Sequence, residues 1–413
     1  MMRQKGLAGC VAIAALALIG LGPAAWAADA PAVLKLGTLY AGSGAFAVPS
    51  TSEHEGLKFW VDQVNAAGGT YVKALGRKVR LRLIAYNDRS STTTAAPLYN
   101  QLITQDKVDI LVSDFGSVLT SVAVPIAQTH KMLLFDPTGT GAALFSPDNP
   151  YVVLCSLPTS AIWPYALADF LKKFEPVRRV ALLYATNDFT GSQAATLRER
   201  LRGSRVELVY DQGVATNTSN YAVLLHNVEA ARPDAVIEFG YANNDIAFLQ
   251  GLQASGLKFK MVFAIFPGQL FSLLRKNVSE AGLAYTYTYP TPPLLAYNKV
   301  NYGPGLEAFL REYRQKRGED ANFLTVAGYN TGLVIGKTLA TADKLDQLAL
   351  RRAVEQFSGK LFTLDGLFKV DRSGAQVGEL LPVGQFLPSG NGVKMQVVFP
   401  FALATGKPVY PAP

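Results

Sequence analysis

The sequence predicts an α/β fold made of two doubly wound lobes, each built on a parallel sheet. Strand-like and helix-like segments alternate from Val33 to residue 154, and the same alternation restarts near residue 160. The chain has 413 residues, 49% of them apolar, which is too long for one ordinary core. Two successive series of this kind place helices on both faces of two parallel sheets.

The first series opens with the apolar run Val33–Leu39, which predicts a buried strand. A helix follows, because apolar residues recur at helical spacing from Leu57 to Val64 and the pair Gly68-Gly69 ends it. Val79–Ala85 alternates apolar residues with arginines and predicts a strand near a sheet edge. Further helices are predicted near 95–104 and 118–129, and further strands at 109–113, 133–135 and 151–154.

The second series repeats helix and strand in the same order. Each predicted helix is followed by a predicted strand. The helices are expected near 163–174, 192–201, 221–231 and 246–254, and the strands that follow them at 180–184, 206–210, 235–239 and 261–263, in that order. Tyr285–Tyr289 then alternates as a strand. Two more helices are expected near 306–313 and 325–340, and residues 367–370 and 397–401 are strand-like.

Residues 1–27 carry the features of a secretory signal peptide. Arg3 and Lys5 precede the apolar run Val11–Leu21, which is shorter than the roughly 20 residues of a membrane span, and Ala25-Trp26-Ala27 supplies a cleavage site. We expect cleavage between Ala27 and Ala28. Leu7–Cys10 is similar to a lipobox, but it precedes the apolar run, so we expect no lipid on Cys10.

Composition argues against several classes of function. The net charge of +8 is spread along the chain, without the basic face and interleaved aromatics of a nucleic-acid-binding protein. Two cysteines and three histidines leave little material for a disulfide scaffold or a metal site, so we expect neither metal nor cofactor. Cys155, the single thiol left after cleavage, is expected to be a buried small hydrophobe.

Common enzyme motifs are missing from the sequence. Gly42-Ser43-Gly44 lacks the third glycine of a dinucleotide site, and neither a G-K-[ST] loop nor a G-x-S-x-G elbow occurs. His54, His130 and His226 are not at ligand spacing, and Asp88 has no evident carboxylate partner. We therefore predict no enzyme activity, with a secreted hydrolase as the alternative.

Open α/β sheets bind ligands beyond the carboxyl ends of their strands, so the loops after the strands form the candidate site. Ser117 opens a helix after a buried strand, where its hydroxyl and free N–H groups suit a carboxylate, although an ordinary helix cap is the alternative. Thr138 and Thr140 lie in a second hydroxyl-rich loop, for which an ordinary turn is the alternative. One aromatic stands in each of five such loops, and this recurrence favours a cleft over mere packing: Phe46, Phe115, Phe189, Tyr241 and Phe266.

Short motifs recur in a characteristic order along the whole mature chain. They are Leu36-Gly37, Ser43-Gly44, Asn65–Gly69, Gly76–Lys78, Asn87-Asp88, Leu102-Ile103, Asp106–Val108, Ser117, Ala123–Pro125, Arg232–Asp234, Ala254–Lys258, Tyr329 and Leu367–Gly374. Each is weak alone, but their order and spacing are specific. Together they resemble the ABC-transporter solute-binding proteins of the branched-chain amino acid type, in the type I periplasmic binding-protein family.

The resemblance implies two lobes that close like a hinged trap, joined by three crossovers that we expect near Ser156, Tyr287 and Gln376. The first lobe would hold residues 28–156 and 287–376, and the second lobe residues 157–286 and 377–413. The resemblance also implies a periplasmic monomer that serves an ABC permease and its ATPase. A sensory module for a receptor or regulator is the alternative.

The family's ligand positions transfer unevenly to this sequence. The resemblance matches Ser117 to the serine that holds a ligand carboxylate, Thr138 and Thr140 to the next loop's polar positions, and Tyr241 to a second-lobe tyrosine. Phe189 replaces a second tyrosine of the family.

Two further positions depart from the family pattern. A first-lobe aromatic position falls at Pro49, with Phe46 close by, and the acid that pairs with a ligand ammonium falls near Ile265, with no Asp or Glu close by. The family's cysteine pair is also missing. We therefore expect a carboxylate without an α-amino group, such as an aromatic acid, packed by Trp163 and the loop phenylalanines. An amino-acid-like ligand is the alternative.

Overall fold

The structure is a computed structural model that describes residues 33–291, 295 and 299–413. It confirms the predicted α/β fold with two lobes and mainly parallel sheets. The predicted signal peptide, its cleavage site and Cys10 lie outside the described residues. Within the described ranges, none of the helices is both long enough and apolar enough to cross a membrane.

Six strands form the first sheet. They are β1 (Val33–Tyr40), β2 (Thr70–Val72), β3 (Arg77–Asn87), β4 (Ile110–Val112), β5 (Leu134–Asp136) and β6 (Val152–Leu154). Their spatial order is β2-β3-β1-β4-β5-β6, and every pair is parallel except β2 with β3. β4 and β6 are buried along their whole length, which explains their purely apolar sequences.

Seven strands form the second sheet. Five of them are β7 (Arg179–Ala185), β8 (Glu207–Val214), β9 (Ala235–Phe239), β10 (Val262–Phe263) and β11 (Tyr287–Thr288). After a return to the first lobe, which includes the small hairpin β12 (Leu361–Thr363) and β13 (Gly366–Phe368), the chain adds β14 (Val383–Ser389) and β15 (Gly392–Phe399). The order is β15-β14-β11-β10-β9-β7-β8, with antiparallel pairing only at the β11-β14-β15 edge.

Helices alternate with the strands of both sheets. Those of the first series are α1 (Ala47–Ala66), α2 (Thr92–Thr104) and α3 (Gly116–His130). Those of the second are α4 (Pro164–Lys173), α5 (Asp188–Leu201), α6 (Ala222–Ala230), α7 (Ala242–Ser255), α8 (Phe271–Val278) and α9 (Glu280–Leu283). The return to the first lobe adds α10 (Leu306–Arg317), α11 (Phe323–Thr341) and α12 (Gln347–Phe357).

Helices α1 and α11 touch backbone to backbone. A Cβ added at Gly56 would lie 2.1 Å from the carbonyl oxygen of Thr325, and one at Gly328 would lie 1.9 Å from that of Glu53. Glycine at both positions is therefore what lets the two helices approach. This contact fixes Glu53 in the core and places the start of α11 beside the loops of both sheets.

The chain passes between the two sheets three times: after β6, after β11 and before β14. The first and last passages are joined by a hydrogen bond of 2.8 Å from the Thr159 N–H to the Gln376 carbonyl. β11 pairs within the second sheet, so the second passage lies beyond Thr288, slightly later than the expected Tyr287. The exact lobe boundaries stay a prediction.

Local differences from the predicted elements have local causes. Helix α5 begins at Asp188 rather than near residue 192, because the Asn187 side chain accepts a hydrogen bond from the Thr190 N–H and caps it. The strand predicted at 285–289 shortens to β11. Cys155 is buried, as predicted.

Candidate ligand-binding site

A cavity of about 20 Å³ lies where the loops of the two sheets meet. This is room for about one water molecule, far less than the roughly 300–1,000 Å³ of small-molecule sites, so a larger ligand fits only if the lobes separate. Eleven residues line it: Phe115, Gly116, Thr138, Thr140, Leu157, Trp163, Phe189, Tyr241, Phe266, Gln269 and Phe323. Loops from both sheets contribute, so any molecule held there would contact both lobes.

The start of α3 forms one polar wall of the cavity. Gly116 has a φ of +73°, a conformation that favours glycine, and its N–H donates to the Thr138 hydroxyl at 3.1 Å. The Thr138 hydroxyl in turn donates to a carboxylate oxygen of Glu53 at 2.5 Å. Ser117 accepts a hydrogen bond of 2.8 Å from the Gly141 N–H. The helix start is therefore tied to the loop after β5 and to α1.

The Tyr241 hydroxyl reaches across from the second lobe to this helix start. It is buried without a well-formed hydrogen bond, and a Cβ added at Gly116 would lie 3.2 Å from it. Burial raises the pKa of Tyr241, while the nearby N–H groups of Ser117 and Val118 and the Ser117 hydroxyl lower it. The phenol thus faces donors at a helix N-terminus, where an anion is favoured.

Two more cavity-lining side chains hold unpartnered polar atoms. The hydroxyl of Thr140 has no hydrogen-bond partner, although its backbone carbonyl accepts from the Ser160 N–H at 2.7 Å. The amide oxygen and nitrogen of Gln269 both lack partners, and the side chain is 3% exposed. Unpartnered buried polar atoms are rare in folded proteins, so their convergence on one cavity indicates a ligand site.

Aromatic rings form the rest of the wall. The Tyr241 ring lies 5.1 Å from Phe189, 5.2 Å from Phe46 and 6.0 Å from Phe115, measured between ring centroids. Trp163 meets Phe189 edge-on at 5.1 Å, and its indole N–H donates to the Pro158 carbonyl at 2.6 Å, which fixes the ring. These edge-to-face and tilted contacts are the geometries that aromatic rings prefer.

The two lobes are closed over the cavity. Besides the Tyr241 contacts with Phe46 and Phe115, the carboxylate of Asp188 accepts a hydrogen bond of 3.0 Å from the Ala143 N–H. Asp188 opens α5 in the second series, whereas Ala143 follows β5 in the first. The closed arrangement therefore rests on both aromatic and polar contacts.

The family model described as "Periplasmic binding protein" matches residues 33–387. The chain belongs to this family. A curated relative is the Leu/Ile/Val-binding protein homolog 7 of Brucella abortus (strain 2308), which is 24% identical over 344 residues, covering 80% of this chain and 82% of the relative. The predicted resemblance to the branched-chain amino acid type is thereby confirmed.

Solved structures share the fold of this binding protein. LivJ from Streptococcus pneumoniae, in complex with isoleucine, has a TM-score of 0.74 at 18% identity and covers 89% of this chain and 99% of its own. A solute-binding protein from Rhodopseudomonas palustris BisB5, in complex with 3,4-dihydroxy benzoic acid, has a TM-score of 0.73 at 18% identity, covering 89% and 96%. An R. palustris solute-binding protein in complex with benzoate has a TM-score of 0.70 at 17% identity, covering 88% and 95%.

The structure brings the predicted site residues of this binding protein together. Seven of them line the cavity: Phe115, Thr138, Thr140, Trp163, Phe189, Tyr241 and Phe266. Ser117 and Phe46 stand directly behind the wall, Ser117 against the Gly141 N–H and Phe46 against the Tyr241 ring. Their roles in binding stay predictions.

The loop at Ile265 is held by an acid that the sequence analysis did not place. Ile265 is fully buried and does not line the cavity. Behind it, Asp245 of α7 accepts a hydrogen bond of 2.6 Å from the Phe266 N–H and lies beside Glu238. Burial raises the pKa of Asp245 well above its usual range and that of Glu238 to about 6. Asp245 therefore shapes the loop rather than lining the cavity.

The expectation that Asp88 lacks a carboxylate partner was wrong. Asp88 lies beside Asp114, which comes from the loop after β4, close enough for the two carboxyl groups to influence each other. Burial raises the pKa of both groups, and for Asp114 the charge of Asp88 adds to the rise. The two residues are far apart in sequence, so only the parallel pairing of β3, β1 and β4 brings them together.

Three residues at the site carried no clear sequence signal. Glu53 is hidden within a helix, and Phe323 sits at the start of α11, far along the chain from the other loops. Gln269 ends the loop 264–269, which follows a predicted strand and therefore belongs to the candidate site. The polar side chain after Phe266-Pro267-Gly268 is the signal that could have singled Gln269 out.

Proposed function

We propose that this protein is an exported solute-binding protein that captures a small carboxylate, preferably an aromatic acid, between its two lobes and delivers it to an ABC importer. The observation that carries the proposal is the closed cavity lined by both lobes, with hydrogen-bonding groups at its walls and aromatic rings between them. The protein has no enzymatic role in this proposal and acts as a monomer without nucleic acid, metal or cofactor.

The first-lobe wall supports a carboxylate. The N–H groups at the start of a helix lack partners within the helix and carry a partial positive charge. In this structure those of Ser117 and Val118 are faced by the Tyr241 hydroxyl, a weakly acidic group in the position where a ligand oxygen would sit. The unpartnered Thr140 hydroxyl, which lines the same cavity, is a further donor for a ligand carboxylate that displaces the phenol.

The remaining walls support an apolar body without an ammonium group. The cavity-lining residues of the described part of the chain include no Asp, Glu, Lys or Arg. Burying an ammonium without a charged partner costs on the order of several kcal/mol. Rings from Phe115, Trp163 and Phe189 instead offer faces and edges to an aromatic ligand.

The comparisons support the same range of ligands. Proteins of this fold are described in complex with isoleucine, benzoate and 3,4-dihydroxy benzoic acid. The fold therefore accommodates both amino acids and aromatic acids, and the uncharged cavity favours the second group. Export to the periplasm and cleavage after Ala27 follow from the signal-peptide features of the sequence.

Calorimetric titration of the mature chain with benzoate, benzamide and leucine tests the ligand class. We expect benzoate to bind at least tenfold more tightly than leucine, a gap of about 1.4 kcal/mol. Benzamide, which has the same shape without the charge, should bind more weakly than benzoate. Micromolar leucine binding without a response to benzoate would overturn the proposal of an aromatic acid. Delivery to an importer is tested by stimulation of a reconstituted permease and ATPase with the loaded protein.

A further inference from the structure

Gln269 is the polar side chain of the cavity that the carboxylate does not explain. Gln269 lines the cavity and is only 3% exposed to solvent. Neither its amide oxygen nor its amide nitrogen has a hydrogen-bond partner. Leaving both ends of an amide unpaired in the interior is unfavourable. Such a group calls for an explanation, and a molecule bound in the cavity would complete its hydrogen bonds.

The loop that carries Gln269 is fixed from three sides. The Phe266 N–H donates to Asp245 at 2.6 Å, the Gly268 N–H donates to the Thr288 hydroxyl at 2.9 Å, and that hydroxyl donates to the Ile265 carbonyl at 2.8 Å. The backbone N–H of Gln269 itself donates to the Phe266 carbonyl at 3.0 Å. The position of the Gln269 backbone is therefore set before any ligand binds.

Gln269 lies between the cavity and an outer groove, because it lines both. This separate outer groove of about 240 Å³ is also lined by Phe271 and Ser272 of the second lobe and residues 310 and 320–322 of the first. The groups that favour a carboxylate, at the start of α3 and at Thr140, do not line this groove. A ligand held by its carboxylate at α3 would therefore present a different part of its body to Gln269.

The chemistry of an amide selects what that part must be. Gln269 offers an acceptor oxygen and an NH2 group with two donor hydrogens, so a hydroxyl pairs with both ends of the amide because it donates to the oxygen and accepts from the nitrogen. A second carboxylate only accepts, and an ammonium only donates. A bare ring edge satisfies neither group.

We infer that Gln269 binds a hydroxyl on the ring of the ligand, so that the preferred ligands are hydroxylated aromatic carboxylates. This inference rests on the proposed function, which places the carboxylate at α3. In this role, Gln269 determines the preference of the protein for a hydroxylated aromatic acid over the same acid without the hydroxyl.

The test compares benzoate, 3-hydroxybenzoate and 4-hydroxybenzoate by calorimetry on the wild-type protein and on Q269L. We expect the better hydroxybenzoate to bind wild type about tenfold more tightly than benzoate. Q269L should reduce this ratio to about twofold or less and change the benzoate affinity much less than that of the hydroxybenzoate. The same substitution at Gln253, which lies on the second lobe outside the cavity, should leave the ratio unchanged.

The ligand-free melting temperature gives a readout independent of ligand. Q269L should melt at or above the temperature of wild type, because it removes an unpaired buried amide. Should Q269L fail to fold, Q269A supports the same affinity comparison. Equal wild-type affinities for benzoate and both hydroxybenzoates, or a preference that survives in Q269L, would overturn this inference and leave the aromatic-acid proposal standing. If none of the three acids binds, the proposed function fails and this inference fails with it.

Discussion

The Thr138 hydroxyl donates a hydrogen bond of 2.5 Å to the buried carboxylate of Glu53. The same hydroxyl accepts from the Gly116 N–H, so one side chain connects α1, the loop after β5 and the start of α3. Burial raises the pKa of Glu53 well above its usual range, the Thr138 hydrogen bond lowers it, and the charges of Asp114 and Asp136 raise it further. Thr138 thus organises the polar wall of the cavity from within the first lobe.

Thr138→Val should destabilise the protein by about 1–3 kcal/mol, because it leaves two buried groups, the Glu53 carboxylate and the Gly116 N–H, without a partner. Valine has nearly the same shape as threonine, so the loss of hydrogen bonds dominates. Urea denaturation measures the free energy of unfolding. Thr129→Val is the matched control, because the Thr129 hydroxyl bonds only within its own helix on the surface. Equal stability of the two variants would contradict this account of Thr138.

Ser117→Ala should weaken benzoate binding by about 1–3 kcal/mol, because the start of α3 behind the carboxylate position loses a hydroxyl and the Gly141 N–H loses its acceptor. Calorimetry measures the affinity. Ser121→Ala lies on the same helix, but its exposed hydroxyl bonds to the Val118 carbonyl, so this control should bind benzoate like wild type. An unchanged affinity in Ser117→Ala would move the carboxylate away from α3.

Hydrophobic periodicity, together with the tendency of ligands to bind at the carboxyl ends of strands, predicted most of the elements that position the site. The alternation of strands and helices predicted both sheets, and the strand-end loops included the segments of Thr138, Tyr241 and Gln269. What these patterns could not predict are contacts made by tertiary packing. Glu53 reaches the site only because Gly56 and Gly328 let α1 and α11 meet at backbone distance.

The acid pairs show the same limit. Asp88 with Asp114 and Glu238 with Asp245 are each assembled from different elements at the end of a sheet. No local pattern marks a carboxyl group that will be buried beside another. The absence of an acid near Ile265 in the sequence likewise did not reveal that Asp245 lies behind that loop.

The stability of the protein should fall as the pH rises through the titration of Asp365. Asp365 accepts a hydrogen bond from Ser156, where the chain leaves the first lobe. Burial raises its pKa to about 7, the Ser156 hydrogen bond lowers it, and the charge of Glu379 raises it. In the unfolded chain the pKa of an aspartate is about 4. Between about pH 4 and about pH 7 the folded state therefore keeps a proton that the unfolded state has released, and the free energy of unfolding decreases with pH.

Asp365→Asn removes this titration and still accepts from Ser156. The variant should match wild type near pH 4 and exceed its stability at pH 8 by on the order of 2–4 kcal/mol. Urea denaturation across this pH range measures the difference. Asp148→Asn, an exposed control, should follow the wild-type profile. Other buried acids such as Asp136 and Glu238 titrate in the same range, so the difference between Asp365→Asn and wild type, rather than the wild-type slope, decides the prediction.

Gly328→Ala should destabilise the protein by more than about 3 kcal/mol, because the new methyl group would lie 1.9 Å from the Glu53 carbonyl oxygen and force α1 and α11 apart. Gly191→Ala is the control. A Cβ at Gly191 meets no atom within 4 Å, and this position lies inside α5, so alanine there should stabilise by about 0.5–1 kcal/mol. Thermal melts of both variants check the prediction, and similar melting temperatures would contradict it.

Tyr241 should couple ligand binding to closure of the lobes. Its ring contacts Phe46 and Phe115 of the first lobe and Phe189 of the second, so it contributes contacts that exist only when the lobes are closed. A ligand shifts an open–closed equilibrium only through contacts that differ between the two states. Tyr241→Ala should therefore bind benzoate weakly and fail to contract.

Small-angle scattering with and without saturating benzoate measures the contraction. Tyr241→Phe is the matched control, because it keeps the ring and removes only the hydroxyl, which has no well-formed hydrogen bond in the closed structure. This variant should contract as wild type does. Full contraction in Tyr241→Ala would mean that the polar contact between Asp188 and the Ala143 N–H, rather than the aromatic contacts, holds the lobes together.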